Sequence, residues 1–119
     1  MKDGVSILNN TNGTLPRVPF ARIKDHVLGT DYELSLVFVE ADEARTISLR
    51  TKEKDYVPNV LSFPLSESSG EIFICPSEAK KTGFSIAELF IHALCHLKGM
   101  DHGVTMERTE AEICKEFGL

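Results

Sequence analysis

The sequence predicts an α+β fold, a mixed sheet of about four strands with helices packed on it and a central helix carrying metal-binding histidines. Three observations predict it. Short apolar runs and amphipathic stretches follow one another in the order β-α-β-α-β-β before the chain turns to helices. The third and fourth apolar runs are separated only by Ser66-Glu-Ser-Ser-Gly70, a loop or hairpin turn from which the second run returns. Past them, Ile86, Leu89, Phe90, Ala93, Leu94 and Leu97 recur at helical spacing, with His92 and His96 sharing the opposite side of the same helix.

Each element has its own signals. Val5 to Leu8 is a short apolar run closed by Asn9-Asn10-Thr-Asn-Gly13, which reads as a first strand entering a loop. From Pro16 or Pro19 to Leu28, the positions Val18, Ala21, Ile23, Val27 and Leu28 suit a helix with a proline in its first turn and Gly29 as its stop. Tyr32 to Val39 is rich in Leu, Val and Phe and is closed by Glu40-Ala-Asp42, a strand that becomes buried along its length. Asp42 is expected to cap a helix of about eight to ten residues reaching Arg50. Lys52 to Pro58 is charged and ends in a proline that cannot continue a central strand. Strands resume at Val60 to Leu65 and at Glu71 to Cys75, and Pro76 to Lys81 is at most a short turn of helix closed by Gly83. Ser85, with Glu88 three residues on, has the capping-box pattern that opens the histidine helix. Thr105 is expected to cap a last helix to about Phe117, with Ala111, Ile113 and Cys114 as inward candidates.

Length and composition bound the rest. The 119 residues suit one domain, read as 1–119, with room for a real core but not for two. No stretch approaches the eighteen or so continuous apolar residues of a transmembrane helix, and Met1-Lys-Asp-Gly-Val-Ser lacks the apolar centre of a signal peptide, so a cytoplasmic protein is expected. Cys75, Cys95 and Cys114 are odd in number, widely spaced and without a C-x-x-C pair, which argues for reduced thiols. A net charge of −5 argues against a general nucleic-acid binder. The distribution qualifies this. Arg45, Arg50, Lys52 and Lys54 lie within ten residues of one another, whereas Glu107, Glu110, Glu112 and Glu116 concentrate in the tail. Either a basic surface faces an acidic one or both are solvated faces.

The chemistry lies in His92-Ala-Leu-Cys-His96-Leu-Lys-Gly99-Met-Asp-His102, which holds three of the four histidines. Four residues apart on a helix, His92 and His96 project from one face a turn apart. Gly99, free to adopt a left-handed conformation, ends the helix and lets His102 approach the same point. Three neutral imidazoles with an open fourth position make a catalytic zinc arrangement, since structural sites are closed by a fourth protein ligand. A lone buried histidine is ordinarily a satisfied core residue, but polar rings in so apolar a helix need partners, and a metal supplies one. His26 has no ligand type at ligand spacing and reads as a surface residue. Cys95 lies at an angle open to ligation, yet reads as a small packed hydrophobe. Glu88 sits one turn before His92 and either orients it or only caps the helix, the capping role being favoured; Asp101 is either a carboxylate behind His102 or a helix cap.

A three-histidine zinc lowers the pKa of bound water to about 7 and polarises a carbonyl or phosphoryl oxygen, so hydrolysis is the expected reaction class. The spacing H-x-x-x-H-x-x-G-x-x-H is that of metzincin peptidases, but their motif places the glutamate base directly after the first histidine. Here that position is Ala93, and Met106 follows His102 too closely for a Met-turn. Peptide hydrolysis is disfavoured.

With these residues in view, the histidine stretch resembles the H-G-x-L-H-L-x-G-Y-D-H signature of the bacterial YbeY family of metal-dependent endoribonucleases. Lys54-Asp55-Tyr-Val-Pro-Asn59-Val-Leu-Ser-Phe63-Pro is similar to the family's K-D-x-P-T-N-V-L-S-F-P, and Gly70-Glu-Ile-Phe-Ile-Cys75 to its G-D-I-x-I-C strand. The likeness extends from about Asp42 onward. Departures are Ala93 for glycine, Met100 for tyrosine, Glu71 for aspartate and Pro58 for threonine, with a short segment between Cys75 and His92. The family's functional arginine before K-D falls on Lys52. The resemblance implies a single-strand-specific endoribonuclease acting on ribosomal RNA or its precursors, in maturation of the 16S rRNA 3′ end and ribosome quality control. It implies one zinc or other divalent ion on His92, His96 and His102, Lys52 near the developing phosphate charge, and a ribosome or ribosome-associated proteins as partners. The alternatives are a metzincin-like metallopeptidase and a non-catalytic ribosome assembly factor with a structural metal.

Overall fold

A computed structural model describes residues 4–119; the first three residues of the N-terminal stretch weighed above as a signal sequence lie outside the described residues. The chain runs β1 (Val5–Asn9), α1 (Phe20–Leu28), β2 (Glu33–Phe38), α2 (Ala41–Lys52), β3 (Val60–Ser66), β4 (Ser69–Ile74), α3 (Pro76–Thr82), α4 (Ile86–Leu97) and α5 (Val104–Glu116). The four strands form one sheet in the order β1-β2-β4-β3. β1 and β4 flank β2 in parallel, and β3 closes the sheet antiparallel to β4. The mixed α+β architecture expected from the sequence is the one observed.

Alternation on β2 and β4 sorts the core into two layers. Leu34, Leu36, Phe38, Ile72 and Ile74 point to the side where α1, α4 and α5 pack, in a cluster that includes Phe20, Ile23, Phe90, Leu94 and Met106. Phe20 meets Phe90 edge-to-face at 4.9 Å between ring centres. Val37, Val39 and Phe73 point the other way, against Ala41, Ala44 and Ile47 of α2. Helix α4 is central: it touches β3, β4, α1, α3 and α5. Ala87, Leu89, Phe90, Ile91, Ala93, Leu94 and Cys95 are buried in it, more than half its length. At roughly 1.5–3 kcal/mol for each large apolar side chain removed from water, this helix dominates the core.

Two close approaches fix the frame. A Cβ on Gly70 would fall 2.4 Å from the Tyr32 hydroxyl, so only glycine lets β4 pass that side chain. Lys24 is fully buried, and its ammonium donates to the carbonyls of Tyr32 at 2.8 Å and Gly29 at 3.2 Å while pairing with Asp25. A buried ammonium is tolerable only with such partners.

Several boundaries differ from the sequence expectations. Helix α2 is capped at Glu40 without a side-chain bond; Asp42 sits inside the first turn, where its charge favours the helix dipole. It also runs past Arg50 through Lys52, because nothing before Glu53 breaks it; Glu53 stops it in a left-handed conformation, φ 56°. Lys52 is therefore the last residue of a helix rather than the start of a charged loop. Ser69 already pairs with Ser66, and so the hairpin turn narrows to residues 67 and 68. The proline-initiated segment after Cys75 is a full seven-residue helix, with Pro76 in its first turn and Gly83 left-handed at its end. Helix α5 starts at Val104 behind Gly103, so Thr105 is not its cap, and of its inward candidates Ile113 is buried, Cys114 is half-buried and Ala111 is exposed.

Candidate metal centre

The site is built on α4. Ser85 accepts from the Glu88 amide at 3.0 Å and the Glu88 carboxylate accepts from the Ser85 amide at 2.9 Å, a complete capping box that fixes the start of the helix. Glu88 is thus engaged at the cap, one turn before His92. At the other end Gly99, φ 97°, turns the chain so that its amide reaches the His96 carbonyl and the Met100 amide reaches the Cys95 carbonyl. That turn carries His102 back over the helix.

The three imidazoles converge. Each offers a ring nitrogen within 4.8 Å of the others, and the ring centres lie 4.6 to 5.0 Å apart. His92 Nδ1 is 2.9 Å from Oε2 of Glu110, and His96 Nδ1 is 3.1 Å from the Met100 carbonyl. A carboxylate and a carbonyl can only accept, so both Nδ1 atoms carry the proton. That tautomer leaves both Nε2 lone pairs facing inward, 3.1 Å apart. Two lone pairs so placed repel, and a cation relieves them. Four ligands at about 2.0–2.1 Å in a tetrahedron stand roughly 3.3 Å from one another, so the donor set fits a zinc-sized ion. Burial and then the neighbouring His92 push the His96 pKa below its ordinary value, which keeps the ring neutral and able to ligate at pH 7.

Cys95 is fully buried and outside the cluster of potential ligands. Burial, reinforced by Glu110, pushes its thiol up to about 11, so it is packed as a neutral hydrophobe, as the sequence suggested. His26 is exposed and lies edge-on to Phe117. Asp101 is exposed in the turn before His102.

Two cavities meet at the histidines. One, of about 210 Å³, is lined by Lys52, Lys54, Tyr56, the β3 residues Val60 to Ser62, and His92, Ala93 and His96. Lys52 stands over the Phe63 ring at 5.6 Å. Asp55 is tied back to Arg45 of α2, whose hydrogen bond and charge hold its carboxyl below the usual range. The lysines are consequently the cationic groups on that wall. The other cavity, about 460 Å³, borders His92 and His102 and is lined largely from α4 and α5, with Glu88, Glu107 and Glu110 among its lining. Cationic groups thus line one cavity at the histidines and acidic groups line the other.

Sequence reasoning missed Glu110 as the partner of His92. It appeared only as one of several acids in the tail, and its role depends on α5 packing against α4, a contact with no local signature. The Met100 carbonyl was equally invisible, since backbone groups leave no mark in a residue pattern.

Comparison with known proteins matches this architecture. The solution structure of a Thermotoga maritima protein superimposes with a TM-score of 0.65, covering 95% of this chain and 88% of that one at 20% identity, which shows a shared fold. Proteins described as Endoribonuclease YbeY are more similar in sequence. That of Paraburkholderia phytofirmans is 35% identical over 123 aligned positions, covering 88% of this chain and 80% of the relative. That of Thiobacillus denitrificans is 34% identical over 107, covering 75% and 73%. The family described as Endoribonuclease YbeY matches residues 17–118, a span that contains α4, the converging histidines, Glu110 and the lysine wall, and on these grounds the chain belongs to the YbeY endoribonuclease family.

Proposed function

We propose that this endoribonuclease is zinc-dependent, cuts single-stranded ribosomal RNA or its precursors, and acts in the cytoplasm on 16S rRNA 3′-end maturation in association with the ribosome. The observation that carries the reading is the convergence of three imidazoles beside a lysine-lined wall, in a chain of this family. His92, His96 and His102 would hold the ion, which when bound supplies Lewis acidity and water of lowered pKa. Glu110 orients His92 and the Met100 carbonyl orients His96, so the inward lone pairs are fixed before any substrate arrives. Lys52 and Lys54 draw the phosphate chain into the smaller cavity, and Lys52 offers charge where the cleaved phosphate becomes more negative.

The peptidase alternative lacks the glutamate base that metzincins carry next to their first histidine. Ala93, where metzincins carry glutamate, is buried with a methyl side chain, Glu88 is engaged in the capping box and Glu110 on His92. An RNA cleavage assay with and without chelator, run beside a peptide digest, tests the proposal. Chelator-sensitive RNA cutting with intact peptides supports it; metal-loaded protein that binds RNA and never cuts it would establish the assembly-factor reading instead.

A further inference from the structure

The larger cavity beside His92 and His102 has no part in the chemistry described so far. Its volume of about 460 Å³ falls within the usual range of small-ligand sites, about 300–1,000 Å³. Its walls include Val60, Leu89 and Met106, and Phe84 stands in its lining with half of its surface open to solvent. Phe84 follows Gly83 in the α3–α4 turn, where its amide is tied to the Ala79 carbonyl, so the backbone under the ring is held. A large aromatic face left in solvent beside a metal centre is a ready stacking surface.

Charge selects what stacks there. Glu88, Glu107 and Glu110 line the same cavity, and carboxylates repel phosphate. The chain of phosphates belongs on the Lys52 side; the part of a nucleic-acid strand that suits the acidic side is one without phosphate charge, flat and able to donate hydrogen bonds.

We propose that this cavity is a nucleobase subsite, in which a base next to the cleaved linkage leaves the stack, packs on Phe84 and donates its amino hydrogens to Glu107. This rests on the nuclease reading for its substrate and deepens it by naming the specificity element. Single-stranded RNA is recognised by splaying bases onto aromatic rings and reading their edges. A carboxylate acceptor favours adenine, cytosine and guanine, which carry exocyclic amines, over uracil, which has none and whose N3–H is flanked by two carbonyl oxygens that repel the carboxylate. Both Phe84 and Glu107 are exposed, so their replacement leaves the core intact.

The test uses the metal-loaded protein and short fluorescein-labelled single strands that differ at one position: adenine, cytosine, guanine, uracil or an abasic site. The strands are 2′-O-methylated and their intactness is checked on a gel. Binding is read by anisotropy, independently of cutting. The amino-bearing bases are expected to bind about tenfold more tightly than the abasic strand, with uracil weaker than the other three. Phe84→Ala should erase the advantage of every base while metal content and melting temperature stay at wild-type values; Phe84→Tyr should retain it. Glu107→Gln should bring uracil level with the others. Equal affinity for all five strands, or a Phe84→Ala protein that discriminates as well as wild type, overturns the inference and leaves the nuclease reading standing. Displacement of the strands by an apolar peptide from wild type, but not from Phe84→Ala, also overturns it, in favour of a peptide side-chain pocket. Base-selective binding by a metal-loaded protein that never cuts the unmodified strands supports the subsite and defeats the nuclease reading.

Discussion

His92 of α4 and Glu110 of α5 meet across the helix pair, ring nitrogen to carboxylate oxygen at 2.9 Å, though eighteen residues separate them in the chain. The contact fixes which nitrogen of His92 faces the other histidines.

Removing that carboxylate should weaken the metal without unfolding the protein. Glu110→Ala is expected to lower affinity by roughly ten- to a hundredfold in a chelator competition, the usual effect of losing a group behind a ligand. Glu110→Gln keeps an acceptor oxygen and should fall in between. Unchanged affinity in both variants would show that His92 needs no orienting partner.

The ligand set predicts opposite outcomes for two neighbours on the same helix. His96→Ala should lose the bound ion by elemental analysis. Cys95→Ala should keep it, because that thiol is buried away from the cluster. With its pKa pushed up to about 11, Cys95 should also resist alkylation at neutral pH until the protein is denatured. Rapid native labelling of Cys95 would contradict this packing.

Lys52 ends α2 on the wall facing His92 and His96. Lys52→Ala is expected to reduce RNA cleavage roughly a hundredfold, on the scale of losing one oxyanion donor, with metal content and melting temperature near wild type. Lys52→Arg should retain or raise activity, since a guanidinium adds two-pronged hydrogen bonding to the same charge. An alanine variant that cuts at the parental rate would make Lys52 an ordinary surface lysine.

Acid should destabilise the metal-free protein through His96. Its folded pKa lies below its ordinary value, chiefly from burial and next from His92, with His102 acting the same way and Glu110 and the Met100 carbonyl opposing. The unfolded chain therefore binds the proton first. Stability from this group is fully present above the unfolded value, about 6.5, and is lost as pH falls through the folded one. Melting temperatures between pH 7.5 and 5 should decline in wild type and decline less in His96→Gln. Parallel curves would mean that another group governs the acid limb.

The sequence carried the strand and helix order, the capping box and the histidine cluster, because each rests on short-range rules of period, cap and spacing. Boundaries were lost where the deciding contact was distant. Helix α2 outran its expected end at Arg50 since no glycine or proline stops it before Glu53, and α3 formed a whole helix because Pro76 and Gly83 frame it from both sides. The wall opposite the histidines was legible only through family resemblance, since Lys52 is brought there by the packing of α2 and β3. Glu110 and Phe84 had no such guide.

The three histidines fall within eleven consecutive positions, whereas the lysine wall needs β3 in place at the edge of the sheet, where it packs against α4 and pairs with β4, itself laid against β2 some thirty-six residues away in sequence. Bringing the histidines together is thus the more local event and wall assembly the more global one. A chain whose sheet is damaged but whose α4, following turn and α5 persist should keep the three imidazoles and Glu110 together while the lysine wall is lost. Counting metal atoms in a preparation would therefore report on α4, its turn and α5, whereas turnover would report on the wall as well.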